Sequence, residues 1–235
     1  MKRPRSTIAR TTLARYRHAP AGDRFHVQVR WLTCPIDELE RRVPRAGRIL
    51  DLGCGHGLVS LYLAACAPGR EVTGVDIDEH KIELARRAAA ASPATSAVFA
   101  VSPDGSLPTG EWDAIVITDV LYLLGPEARA ELLRRCAAAL APGGLLLVKE
   151  TDTRPRWKHR LAAFQEVLAT KVLRITAGSA LDFASSTELG EVLRAAGLEV
   201  EVERLDRGYL HPHVLLTGRR PRIPPPDPVP SPNCS

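Results

Sequence analysis

An α/β fold, a mostly parallel seven-stranded sheet between two layers of helices, is predicted by three observations. Short apolar runs alternate with helical segments from Ile49 to Lys149, the order that builds parallel strands with right-handed crossovers. The first run ends in closely spaced glycines that lead straight into an alanine-rich segment. Two late runs, Glu199–Arg204 and His213–Gly218, lie so close in sequence that they form a hairpin, which makes one of them antiparallel.

Taken in order, residues 1–15 show no clear apolar periodicity and read as partly disordered, and aromatic and basic side chains interleave from Tyr16 to Trp31. Pro35 opens a short helix to Arg42, with acids in its first turn and Pro44 beyond its end. Ile49–Leu52 is the first strand and Leu58–Cys66 the helix after it. Glu71–Val75 is the second strand, and Asp78 caps a helix from Glu79 to about Ala91. Ala97–Val101 and Asp113–Thr118 are the third and fourth strands. A helix from Pro126 to Leu140 is stopped by Pro142-Gly143-Gly144 ahead of a fifth strand, Leu145–Lys149. Beyond Thr153 a helix carries Leu161, Phe164, Val167 and Leu168 on one face, and Ser185 and Glu188 form a capping box for another that ends at Gly197. Seven of the 19 prolines fall in residues 219–235, which read as a disordered, extended tail. The chain therefore divides into a basic arm and cap (1–44), the α/β domain (45–218) and the tail (219–235).

Charge is placed unevenly. Residues 1–30 hold eight basic side chains against one acid, while the remaining 205 hold 24 basic and 26 acidic. A nucleic-acid enzyme more often spreads a basic stripe over its folded face, so this balance speaks against nucleic acid as partner. Five cysteines, none in a C-x-x-C pair, argue against a disulfide framework or a zinc site and fit a reducing cytosol. No apolar run approaches the ~20 residues of a membrane span, and the basic amino-terminus lacks the apolar core of a secretory signal.

The chemistry gathers at Ile49-Leu50-Asp51-Leu52-Gly53-Cys54-Gly55-His56-Gly57. Glycine is needed where φ is positive or where a ligand lies against the main chain, and the N–H groups that open the next helix favour an electron-rich or anionic ligand. The dinucleotide pattern G-x-G-x-x-G does not fit: the third glycine comes one position early, Leu58 stands where that pattern wants glycine, and Asp51 has no part in it. The stretch D-L-G-C-G-H-G resembles motif I of the class I S-adenosylmethionine-dependent methyltransferases. The resemblance spans roughly residues 45–218. It implies a Rossmann-like three-layer fold with a late antiparallel strand, S-adenosylmethionine as cofactor, and methyl transfer.

Ligands of open α/β sheets sit at the carboxyl ends of the strands, and the resemblance assigns residues there. Asp51, Gly53, Cys54, Gly55 and Gly57 face the methionine half of the cofactor. Asp76, at the end of the second strand, accepts from both ribose hydroxyls, a bidentate task that suits a carboxylate, and Ile77 lies against adenine. After the third strand the family often carries Gly-Asp-Ala; here Pro103 takes the acid's register and Asp104 comes one later, which leaves its adenine contact open against a simple turn role. Thr118-Asp119-Val120-Leu121-Tyr122 resembles the segment that faces the transferred methyl, with Asp119 the polar group nearest the sulfonium and Tyr122 a wall for the substrate. It lacks the Asn/Asp-Pro-Pro-aromatic stretch of enzymes that methylate exocyclic base nitrogens.

Further candidates come from the residues themselves. His211, in the hairpin loop beside Tyr209, titrates near neutrality and suits a general base. The run from Lys149 through Trp157 to Arg160 suits an anionic part of a substrate or of its carrier. Arg30 is close enough to the core in sequence to reach a cofactor or substrate carboxylate, with the arm folding over the site as a lid. The expected activity is methyl transfer to the oxygen or nitrogen of a small molecule in the cytoplasm. The alternatives are an RNA or protein methyltransferase, a nicotinamide-dependent oxidoreductase, and a cofactor-binding module without turnover.

Overall fold

The computed structural model describes residues 6–91, 97–152, 184–209 and 212–222. Its strands are β1 (Ala46–Leu52), β2 (Gly69–Asp76), β3 (Ala97–Val101), β4 (Trp112–Thr118), β5 (Leu140–Thr151), β6 (Glu199–Arg204) and β7 (His213–Arg219). They form one sheet in the order β3-β2-β1-β4-β5-β7-β6. The first five run parallel. β7 lies antiparallel to both β5 and β6, as the short loop before it demands.

Alternation along each strand divides the interior between two faces. Ile49, Val116, Leu147 and Leu215 point to a core shared with helices α1 (Thr7–Ala14), α2 (Ala21–Thr33), α3 (Ile36–Glu40), α4 (Leu58–Cys66) and α5 (Glu79–Ala90). Leu50, Ile117, Val148 and Leu216 point to a second core under α6 (Pro126–Ala138) and α7 (Ser186–Ala195). The helices start where the sequence places caps: Asp78 accepts from Lys81 N–H and Ser185 from Glu188 N–H.

Two segments depart from the sequence-based expectation. Residues 7–14, read as part of a disordered stretch, form α1, capped by Ser6. The buried side of α1 is made by Ala9, Thr12 and Leu13, too small and polar a set to register as an apolar stripe. β5 begins at Leu140, ahead of the Pro142-Gly143-Gly144 expected to precede it. Trp112 pairs with Leu140 and Ala114 with Leu145, so the proline and glycines sit in an irregularity of the strand. The expected helix after Thr153 and most of the proline-rich tail lie outside the described residues.

The amino-terminal helices share the first core. Val27 and Trp31 of α2 are 1% and 4% exposed, and each such side chain contributes about 1.5–3 kcal/mol by burial. Tyr16, after α1, donates its hydroxyl to His56 O at 2.7 Å, within the glycine turn. Asp23 of α2 meets the same residue, with Oδ1 3.0 Å from His56 Nε2. The cap is thereby anchored to the turn it covers.

Candidate active site

β2, β1 and β4 lie side by side, and their carboxyl ends open on one edge of the sheet. Asp51, at the end of β1, falls on the α1–α5 face, where Ser60 of α4 donates to its Oδ2 at 2.5 Å. Burial pushes its carboxyl up to about 6, against the pull of Ser60. The turn then folds back on β2: Gly53 and Cys54 both donate to Val75 O, at 2.8 and 3.0 Å.

Gly53, Gly55 and Gly57 all have positive φ, yet their surroundings differ. A Cβ on Gly53 would stand 2.4 Å from Val120 Cγ2, and one on Gly57 2.7 Å from the Phe99 ring, so both permit close packing. A Cβ on Gly55 meets nothing nearer than Lys81 Cδ at 4.0 Å, which leaves that backbone open to a ligand. Gly55 donates to Asp76 Oδ2 at 2.7 Å, and Asp78 N–H donates to Oδ1 at 3.0 Å. A carboxylate offers about four acceptor sites, so each oxygen keeps capacity for a further donor. Ile77, next in the chain, is 67% exposed. An open main chain, a double acceptor and an apolar platform fit the nucleoside of S-adenosylmethionine. Asp104 lies past the end of β3, where it accepts from Ser106 N–H at 3.0 Å and holds its own turn.

The open space at Gly55 gives a direct expectation. Gly55→Val should lower cofactor affinity at least tenfold while destabilising the fold by only about 1–2 kcal/mol, the cost of a left-handed non-glycine residue. Gly57→Val, driven into Phe99 and Ala85, should lose more stability. Calorimetric titration beside thermal unfolding separates the two; a Gly55→Val protein that binds as wild type would take the cofactor off this turn.

The end of β4 carries a closed ionic group. Asp119 is the one non-glycine residue at positive φ among those described. Its carboxylate lies between Lys149 Nζ, at 2.6 and 2.7 Å, and Arg30 Nη1 at 2.9 Å. Arg30 also donates to Thr118 O at 2.8 Å. Burial alone would raise Asp119, but Lys149 and Arg30 outweigh it and hold the carboxyl at about 2. Arg30 and Asp119, expected at the substrate and at the sulfonium, meet each other. Tyr122 lies in a 3-10 turn, Leu121–Leu123, beside a water-sized cavity of about 10 Å³. Tyr209 packs edge-on against His213, whose Nε2 lies 2.7 Å from Thr33 O, and so stands by the junction of α2 and α3. His211 and Trp157 lie outside the described residues.

Two functional groups escaped the sequence reading, Lys149 as the counterion of Asp119 and Glu150 as a clamp. Glu150 points to the other face of β5, where its Oε1 accepts from Val120 N–H at 2.9 Å and Leu121 N–H at 2.8 Å. It fixes the turn whose Val120 packs against Gly53. The available signal was a lysine and a glutamate continuing the apolar run Leu145–Val148, since charges there need partners.

Burial, reinforced by Asp119, pushes the Glu150 carboxyl up to about 8. A carboxyl raised on folding stabilises fully below its unfolded value, about 4.3, and that contribution is lost as pH rises through about 8. Glu150→Gln keeps an acceptor for both N–H groups and cannot ionise. The variant should therefore gain stability relative to wild type between pH 5 and pH 8, read by urea unfolding; parallel stability curves would mean that Glu150 does not titrate in this window.

The architecture agrees with comparison to known proteins. A family model described as "Methyltransferase domain" matches residues 26–203. A trans-aconitate 2-methyltransferase of Methylobacterium nodulans is 34% identical over 194 residues, 80% of this chain and 70% of that protein. A demethylmenaquinone methyltransferase of Thermus thermophilus is 32% identical over 214 residues, 84% of this chain and 92% of that one. A second trans-aconitate 2-methyltransferase, from Paracidovorax citrulli, is 36% identical over 63% of this chain, which spans only 55% of that protein. Among solved structures, a SAM-dependent methyltransferase of Methanosarcina mazei superposes with TM-score 0.61 at 22% identity, over 79% of this chain and 98% of that one. A magnesium protoporphyrin IX methyltransferase of Synechocystis with bound SAH gives 0.64 at 17%, over 89% and 94%.

The fold and the strand-end site define a class I methyltransferase. The chain belongs to the methyltransferase-domain family.

Proposed function

We propose that the chain methylates a small-molecule acceptor through an ionised oxygen. The observation that carries this reading is the closed ion group at the end of β4, where the Asp119 carboxylate already accepts from Lys149 and Arg30 and is held well below the usual carboxylate range. A carboxylate so weakly basic is a poor acceptor for the proton of an alcohol or amine. An acceptor that is already an anion at neutral pH needs no base. Two relatives give support: one named above acts, by its name, on trans-aconitate, a carboxylate, and one from Xanthomonas axonopodis pv. citri, 30% identical over 68% of this chain, is named a ubiquinone biosynthesis O-methyltransferase.

When bound, S-adenosylmethionine supplies a methyl group already activated for transfer. The chain's own residues then bind, orient and exclude water. Asp76 and Ile77 would hold the ribose and adenine, and Gly55 would lie against the cofactor. Glu150 keeps the turn after β4 in place, and the α1–α2 cap closes over the glycine turn through Tyr16 and Asp23. The ion group at Asp119 fixes α2 to the end of β4.

The test is a substrate panel of carboxylic acids, phenols, alcohols and amines with methyl-labelled cofactor, followed by mass spectrometry. Label should enter carboxylates and acidic phenols, with the rate following the ionised fraction of the acceptor. Transfer confined to amines or unactivated alcohols would refute the reading.

A further inference from the structure

A groove on the outer side of the cap lies apart from the strand ends. It runs between α1 and α2 and has a volume of about 680 Å³, within the roughly 300–1,000 Å³ of small-molecule sites. Leu13 and Tyr16 belong to its floor, and Phe25, 67% exposed, stands at its wall. Arg10, Arg17 and Arg24 line it, and no acid does.

These arginines make only exposed hydrogen bonds to residues near them in sequence. Arg10 reaches Thr7 Oγ1, Arg17 reaches His18 Nε2, and Arg24 donates to Arg17 O. Among the described residues none of the three forms an ion pair with a carboxylate. Several arginines elsewhere find acids, Arg30 with Asp119, Arg42 with Glu203 and Arg70 with Glu40, while others, such as Arg86 on Phe99 O, bond to carbonyls alone. Three arginines lining an apolar concavity that no acid lines form a setting suited to an anion.

The groove is separate from the candidate active site. At about 100° per residue, Arg24, Phe25 and Gln28 lie on the side of α2 opposite to Asp23, His26 and Arg30. The second set looks to the glycine turn and the end of β4, the first to the groove. α2 is a wall common to both, and Tyr16 joins them, since it lines the groove and donates to His56 O.

We infer that the α1–α2 groove binds one small amphiphilic anion, a carboxylate or its like on an apolar body. The apolar body lies along Leu13 and Phe25, and the anionic group is held by Arg10, Arg17 and Arg24. The concave shape favours a single molecule over a membrane surface: Leu13 and Tyr16, the large apolar side chains besides Phe25, are buried at the floor, where a bilayer does not reach. Bound there, the ligand fastens α1 to α2 and steadies the cap over the glycine turn.

Decanoate, below its micellar concentration, is the probe, with decylamine and decanol as cationic and neutral matches, titrated calorimetrically into the full chain. Decanoate should bind at one equivalent, at least tenfold tighter than either match. Replacing all three arginines (Arg10→Gln, Arg17→Gln, Arg24→Gln) should weaken it at least tenfold, with S-adenosylmethionine affinity changed less than twofold. Ala14→Trp, which fills the groove and keeps the arginines, should weaken it as much. Equal binding of decylamine would overturn the inference, as would undiminished binding by the variants. Binding to phosphatidylglycerol vesicles without binding of monomeric decanoate would overturn it too, and would make the face a membrane dock.

Discussion

Lys149→Met should destabilise the protein by about 3–5 kcal/mol, the range for breaking a buried ion pair from one side. Lys149 is 1% exposed, and its Nζ contacts both oxygens of Asp119. Removing the amine leaves a carboxylate nearly enclosed, with Arg30 alone to balance it. Asp119→Asn should cost a similar amount, because it strands Lys149. The double variant should lose less than the sum, since Lys149 and Asp119 are then both removed together and only Arg30, which still donates to Thr118 O, is left without its carboxylate. Urea unfolding of the three proteins at one pH measures this. Additive losses, or a single-variant loss under ~1 kcal/mol, would show that the group is not a coupled pair.

The second large effect falls on cofactor binding. Asp76→Ala should weaken S-adenosylmethionine by about 2–3 kcal/mol, the scale of lost hydrogen bonds to a charged group, or roughly 30- to 150-fold. Asp76→Asn should lose less, because one amide oxygen still accepts from Gly55 N–H or from a ribose hydroxyl, though not from two hydroxyls at once. Calorimetry on variants shown to be folded by circular dichroism gives the answer. An unchanged affinity for Asp76→Ala would remove that residue from the site.

What the sequence reveals here follows from how local each signal is. The glycine turn, the Asp78 cap, the Ser185 cap and the late hairpin are set by neighbours a few residues apart, and the structure forms each of them. Helix α1 was hidden because Ala9, Thr12 and Leu13 become a packing face only against the folded core. Pro142-Gly143-Gly144 reads as a stop, yet the register shift between β4 and β5 accommodates it. At the site, Asp76 and the glycines lie on adjacent strand ends, where topology alone brings them together. The Arg30–Asp119–Lys149 group was not legible: its members are 89 and 30 residues apart, and nothing local says that the arginine and lysine share one carboxylate. Arg30 was read as reaching a cofactor or substrate carboxylate, and in the structure its side chain ties α2 to β4.

The claim on which the rest depends is that the strand-end cleft holds S-adenosylmethionine. Calorimetric titration of the full chain with S-adenosylmethionine and, separately, with NAD tests it most directly. One equivalent of S-adenosylmethionine should bind, with affinity reduced in Asp76→Ala and Gly55→Val, and NAD should give no heat beyond dilution. Saturable NAD binding that the same two substitutions abolish, with no response to S-adenosylmethionine, would contradict the account.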